Sequence, residues 1–264
     1  MRLAREAAAR MDRPAVLRSV RRYTTALLLV QTALAALLAW RPGPPRVGAV
    51  YLVAALPWTL LVNAVLGRNV HLLYTAEGQP LTRLNLATRV TLIRVLSIPL
   101  VGVLVLQGES MMAGLVFLGA AVTDWLDGHL ARRMNDVTQL GRIADPSIDA
   151  LFCGLTFVAL AAAQRLPGWL LVLAGIRYGT LLGGALFLKL YAGGVPVRAT
   201  FLGRLFYFIQ YSLLLAFLLF DTPVVDRWTP RALGVLQVLV TAQLLLLGRT
   251  MLAEMRHDLE SDAD

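Results

Sequence analysis

The sequence predicts an all-α integral membrane protein of about eight spans. Three observations carry that expectation. Of the 264 residues, 58% are hydrophobic and only 16% are charged, whereas a soluble domain is about a quarter charged. The apolar residues gather in blocks long enough to cross a bilayer, which takes roughly 20 residues of helix each. The blocks lack the alternation of a membrane barrel, and lipid cannot satisfy exposed backbone groups, so each block is read as a helix.

Residues 1–22 form a basic tail. The apolar run 23–40 behind it looks like a secretory leader, but the segment 41–46, Arg-Pro-Gly-Pro-Pro-Arg, is a poor cleavage site, so an uncleaved anchor is expected. A second span covers 47–66, and with the polar linker after it the hairpin occupies 23–84. Six further spans, near 89–107, 111–131, 143–163, 168–188, 205–220 and 231–249, make a second unit at 85–250. A tail, 251–264, completes the chain, and no convincing internal repeat is present.

The net charge of +9 follows the loops. The N-terminal tail, 67–88, 132–142, 189–204 and the C-terminal tail all carry basic residues. Among the alternate loops, 107–110 holds only Glu109, 221–231 mixes Asp221 and Asp226 with Arg227 and Arg231, and 41–46 with two Arg is an exception. The positive-inside rule then places both termini on the cytoplasmic side of the cytoplasmic membrane. Arginines distributed this way meet anionic headgroups, so nucleic acid is not an expected partner. A single cysteine, Cys153, excludes a disulfide within the chain, and no Cys/His spacing suits zinc. Cys153 is read as a small packing residue.

The chemistry concentrates at the facing ends of the fourth and fifth spans. Asp124, Asp127, Gly128, Ala131 and Arg132 follow i, i+3, i+4, i+7, i+8 and share one helix face. Gly141, Asp145 and Asp149 are four apart on the next helix and share another. A turn between the helices brings both faces to one polar cleft at the cytoplasmic surface. Ionisable residues within a membrane are expensive and mark function. Clustered carboxylate oxygens suit Mg²⁺ or Mn²⁺. Gly128 and Gly141 permit close approach of a ligand to the helices, and Arg132 offers a planar fork to a diphosphate. Asp136 lies outside the pattern and is read as a solvated end residue, and His129 as a headgroup-level one.

The run Asp124-x2-Asp127-Gly128-x2-Ala131-Arg132-x8-Gly141-x3-Asp145-x3-Asp149 resembles the signature of the CDP-alcohol phosphotransferase family at every specified position. The resemblance spans roughly 85–250 and excludes the hairpin. Upstream, Thr91-Leu92-Ile93-Arg94-Val95-Leu96-Ser97-Ile98-Pro99 is similar to the family's first core helix, with Thr88 where an Asn is usual. Arg94 is read as structural.

The resemblance implies a six-helix core, to which the hairpin is an addition. It also implies two metal ions, held chiefly by Asp124, Asp127 and Asp145 with Asp149 nearby, and Asp149 as general base on the acceptor hydroxyl. Gly128, Ala131 and Gly141 would leave room for the cytidine nucleotide, with Arg132 near its phosphates. The implied donor is CDP-diacylglycerol or a similar CDP-lipid, the acceptor a small alcohol, with release of CMP, and the family suggests a homodimer. Arg177 within the sixth span either grips a phosphorylated acceptor or is structural, and Tyr178 replaces an acidic neighbour common in members using glycerol phosphate or making cardiolipin. Arg198 and Arg204 resemble a basic loop that contacts acceptor or lipid phosphate, a positive-inside role being the alternative.

Three other readings compete. An intramembrane prenyltransferase also uses Asp motifs and magnesium, but places them far apart in the chain. A divalent-cation transporter favours mid-bilayer sites and repeats. A scaffold with a dead site would not keep an intact motif. Among acceptors, glycerol 3-phosphate is favoured over inositol phosphate, another polyol or phosphatidylglycerol.

Overall fold

The computed structural model describes residues 12–40, 46–70, 73–74, 81, 84, 86–133, 139–192 and 201–261, with backbone alone at 86–87, 90, 124–133, 139–147, 185–192, 252 and 254–261. Eight helices run through them: α1 (Arg13–Trp40), α2 (Arg46–Arg68), α3 (Leu86–Leu106), α4 (Ser110–Arg133), α5 (Gln139–Ala162), α6 (Gly168–Ala192), α7 (Phe201–Leu219) and α8 (Pro223–Ser261). They correspond to the eight expected spans, and the described residues contain no strand. Helices α1, α2, α7 and the 223–251 part of α8 are long and apolar enough to cross a membrane. The chain is an all-α integral membrane protein.

Among the described residues, α3, α4 and α5 carry the apolar stretches Thr91–Leu106, Ser110–Thr123 and Ile148–Ala162. Asp124 and Asp127 lie in the C-terminal half of α4, and Asp145 and Asp149 in the N-terminal half of α5. Helix α8 starts at Pro223 rather than at 231 as expected from hydropathy. Thr222 explains the earlier start: its Oγ1 accepts from Val225 N at 3.4 Å and its carbonyl from Asp226 N at 2.9 Å, while Pro223 occupies the first helical position.

The chain divides into two compact units, Met1–Ala159 and Leu160–Asp264. In the first, α1 packs on α2, α2 on α3 and α3 on α4. Asp12 caps α1 by accepting from Ala15 N at 3.1 Å. Where α1 meets α2, a Cβ on Gly48 would lie 2.2 Å from the Ala35 carbonyl oxygen, so only glycine allows this approach. Two polar pairs cross between the helices: Thr59 Oγ1 donates to Gln31 Oε1 at 3.0 Å, and Thr24 Oγ1 to Asn63 Oδ1 at 3.0 Å. The Trp58 indole donates to the Val95 carbonyl at 2.8 Å, tying α2 to α3. Val16, Val20, Leu66, Val70, Leu84 and Leu92 form a buried cluster beneath Tyr23. The turn after α3 is made at Gly108, whose φ of 80° favours glycine. Gly108 N bonds the Val105 carbonyl and Glu109 N the Leu104 carbonyl, closing the last turn.

In the second unit α6 and α7 both pack on α8. Trp169 lies over Gly234, where a Cβ would come within 2.6 Å of the ring. The turn before α6 uses the same closure as Gly108, with Gln164 at φ 57° in the glycine position.

Candidate functional site

Helix α4 runs unbroken through Asp124, Asp127, Gly128, Ala131 and Arg132, so the helical register that sets them on one face is kept. Helix α5 likewise runs unbroken through Gly141, Asp145 and Asp149. The side chains of Asp124, Asp127, Gly128, Ala131, Arg132, Gly141 and Asp145 lie outside the described residues, as does His129. Arg198 and Asp136 lie outside them altogether. Among the described residues no group of three His, Cys, Asp or Glu stands together as a metal site.

Asp149 is described, and its surroundings differ from expectation. The side chain is 24% exposed, and its Oδ1 lies 2.8 Å from Nη1 of Arg94, which is only 2% exposed. Arg94 therefore pairs directly with the carboxylate that closes the motif. The sequence reading of Arg94 as structural did not foresee this partner, yet a signal was present. Arg94 is the single charge between Val90 and Gly108, and an isolated charge in an apolar helix marks a functional candidate. Beneath the pair, Phe117 of α4 stacks on Phe152 of α5 with centroids 4.9 Å apart, and Cys153 is a buried free thiol. The ring pair joins α4 to α5 one turn beyond Asp149.

In the second unit Arg177 is 9% exposed on α6. Its Nη1 donates to Gln210 Oε1 on α7 and, at 3.0 Å, to Gln237 Oε1 on α8. Gln210 Nε2 donates to the Tyr178 hydroxyl at 3.2 Å, and the guanidinium lies 5.3 Å from the Tyr178 ring centroid. Both glutamines are fully buried. Among the described residues the partners of Arg177 are neutral, so its positive charge is held in place without being cancelled. Tyr178, noted in the sequence only as a missing acid, supplies a ring face and a hydroxyl instead. Gln210 and Gln237 were missed, although an amide in an otherwise apolar helix is itself a signal. Arg204 is exposed in the first turn of α7.

A family model described as CDP-alcohol phosphatidyltransferase matches residues 84–247. A CDP-diacylglycerol--glycerol-3-phosphate 3-phosphatidyltransferase of Bacillus subtilis (strain 168) is 30% identical over 154 residues, 53% of this chain and 79% of that protein. A cardiolipin synthase (CMP-forming) of Streptomyces coelicolor is 39% identical over 90 residues, 34% of this chain and 41% of that protein. A CDP-diacylglycerol--glycerol-3-phosphate 3-phosphatidyltransferase of Escherichia coli (strain K12) is 43% identical over 77 residues, 28% of this chain and 42% of that protein. The chain thus matches less than half the length of the last two relatives.

Proposed function

The chain belongs to the CDP-alcohol phosphatidyltransferase family and is a membrane transferase of phospholipid biosynthesis, and from that premise we propose that it moves a phosphatidyl group from CDP-diacylglycerol to the hydroxyl of glycerol 3-phosphate, releasing CMP. The observation that carries this reading is the complete aspartate motif, set on two consecutive helices inside the matched segment 84–247. Two of the relatives are named for glycerol 3-phosphate as acceptor, which supports that choice. The Streptomyces relative favours a second reading, a cardiolipin-synthase-type acceptor.

The donor set fits divalent cations. Asp124, Asp127, Asp145 and Asp149 would hold them, since hard carboxylate oxygens suit Mg²⁺ or Mn²⁺. A carboxylate has two oxygens, so Asp149 can pair with Arg94 and still face a metal. When bound, a metal pair supplies charge neutralisation at the attacking and leaving oxygens of phosphoryl transfer. Asp149 takes the proton from the acceptor hydroxyl as that oxygen bonds to the lipid-side phosphorus and the bond to CMP breaks. Arg94 holds the Asp149 carboxylate in its rotamer during that transfer. Gly128, Ala131 and Gly141 make room for the cytidine nucleotide, and Arg132 meets its phosphates. Arg177 grips the phosphate of the acceptor, with Arg198 and Arg204 as further phosphate contacts. The site faces the cytoplasm, both termini lie there, and the enzyme works as a homodimer.

The test is direct. Purified protein is incubated with CDP-diacylglycerol and, separately, glycerol 3-phosphate, inositol phosphate, phosphatidylglycerol and a simple polyol, and CMP release is followed. Release with glycerol 3-phosphate above all others is expected. Release with phosphatidylglycerol alone would favour the second reading, and release with none would sink both.

A further inference from the structure

Helix α1 lies outside the segment matched by the family, yet it forms one wall of a cavity of about 660 Å³ in the first unit. Arg18, Ser19, Arg22 and Tyr23 line it at i, i+1, i+4 and i+5, together with Arg89 of α3. Three arginines thus line one volume, and among the described lining residues there is no carboxylate. None of the three forms an ion pair with a described residue.

The frame around the cavity is tied together by directed hydrogen bonds. Ser19 Oγ accepts from Leu84 N at 3.2 Å, Arg89 Nε donates to the Leu84 carbonyl at 3.0 Å, and the Tyr23 hydroxyl donates to the Arg89 carbonyl at 2.5 Å. Beneath lies the buried cluster of Val16, Val20, Leu84 and Leu92. The geometry is therefore built by two segments some 65 residues apart in sequence. Three like charges gathered on a fixed frame repel one another unless an anion joins them. Guanidinium forks match phosphate oxygens, and a volume between 300 and 1,000 Å³ is of ordinary ligand size. The position also fits: Arg18 and Arg22 end the basic tail, and the apolar run of α1 begins at Tyr23, so the cavity stands at headgroup level.

We propose that this cavity binds a phosphate group, carried either by a lipid headgroup of the bilayer surface or by a soluble phosphate. None of its lining residues belongs to the aspartate motif, and the proposal does not depend on which acceptor the enzyme uses. Full-length protein in neutral detergent is titrated with short-chain phosphatidylglycerol, short-chain phosphatidylcholine and inorganic phosphate, with binding read by native mass spectrometry and thermal shift. The variant pair R18Q/R22Q removes two cavity charges, whereas R13Q/R21Q removes two charges of the same helix that do not line the cavity.

R18Q/R22Q is expected to weaken binding about tenfold or more, and R13Q/R21Q by no more than about twofold. The single variants R18Q and R22Q, each expected to lose about fivefold, keep the test decisive should the double variant not fold. Loss confined to the lipid titrations assigns the site to a headgroup, and loss with inorganic phosphate assigns it to a free phosphate. Equal losses in the two pairs, or none in R18Q/R22Q, would overturn the proposal.

Discussion

The residues proposed to accept the proton and to grip the phosphate sit in contrasting surroundings, and kinetics can tell their roles apart. Asp149 faces the Arg94 guanidinium at 2.8 Å, whereas Arg177 faces neutral amides. A base contributes in the transition state, so Asp149→Asn should lower kcat and kcat/KM together, and by about a hundredfold or more. Arg94→Gln should lower kcat with little change in acceptor KM, and Arg94→Lys should recover part of it by restoring a cation. Arg177→Gln should instead raise KM for glycerol 3-phosphate about tenfold or more, the loss of a charge-assisted bond of about 1.5–3 kcal/mol. An unchanged KM would leave Arg177 with a purely structural role. For the metal, Asp124→Ala, Asp127→Ala and Asp145→Ala should each nearly abolish CMP release. Chelation by EDTA should do the same and added Mg²⁺ or Mn²⁺ should reverse it, while full activity in excess chelator would contradict the metal role. Asp149 and Arg177 were legible in the sequence as polar residues on apolar helices. Their partners were not, because pairing across helices depends on rotation and depth that no single helix encodes.

Two positions test how the helices are joined. Gly48 allows α1 and α2 to touch backbone to side, with the Ala35 carbonyl oxygen 2.2 Å from where a Cβ would stand. Gly48→Ala must push the helices apart, at a cost of about 1–3 kcal/mol. A lower apparent Tm in detergent is expected, and an unchanged one would show that the contact yields freely. Gln164 holds a left-handed φ of 57° at the end of α5, which costs a residue with a side chain about 1 kcal/mol. Gln164→Gly should therefore raise the apparent Tm, partly offset by the greater freedom of glycine in the unfolded chain. The neighbouring pairs of Arg165 with Asp221 and Asp226, at 3.3 and 3.6 Å, are partly exposed and add little. At this scale hydropathy located all eight helices but not their ends. Helix α1 begins at Arg13 and α8 extends to Ser261, because caps and good helix formers carry a helix past its apolar run.

For the molecule as a whole, orientation in the membrane is the property most exposed to test. The proposed orientation, which rests on basic residues in alternate loops, puts the segment between α4 and α5 in the cytoplasm. That segment is where soluble acceptors and CDP-lipid headgroups are available. In a Cys153→Ala background, a cysteine introduced as Asn135→Cys should react with an impermeant maleimide only in inverted vesicles or opened cells. Labelling in intact cells would overturn the topology and with it the cytoplasmic site.

The sequence by itself determined the class of the molecule and carried the motif on which the proposed site rests. Apolar blocks of bilayer length leave helices as the way to satisfy the backbone, and the two aspartates of each motif helix need no tertiary contact to share that helix's face. What only the tertiary structure decided were the partnerships between distant segments. Arg94 meets Asp149 across α3 and α5, two glutamines from α7 and α8 converge on Arg177, and the arginines of α1 join Arg89 around one cavity. Within a helix, spacing along the chain fixes which residues are neighbours. Between helices, neighbours follow from packing, where contacts such as Gly48 on Ala35 and Trp58 on Val95 set how close the helices come and which residues lie at the same depth.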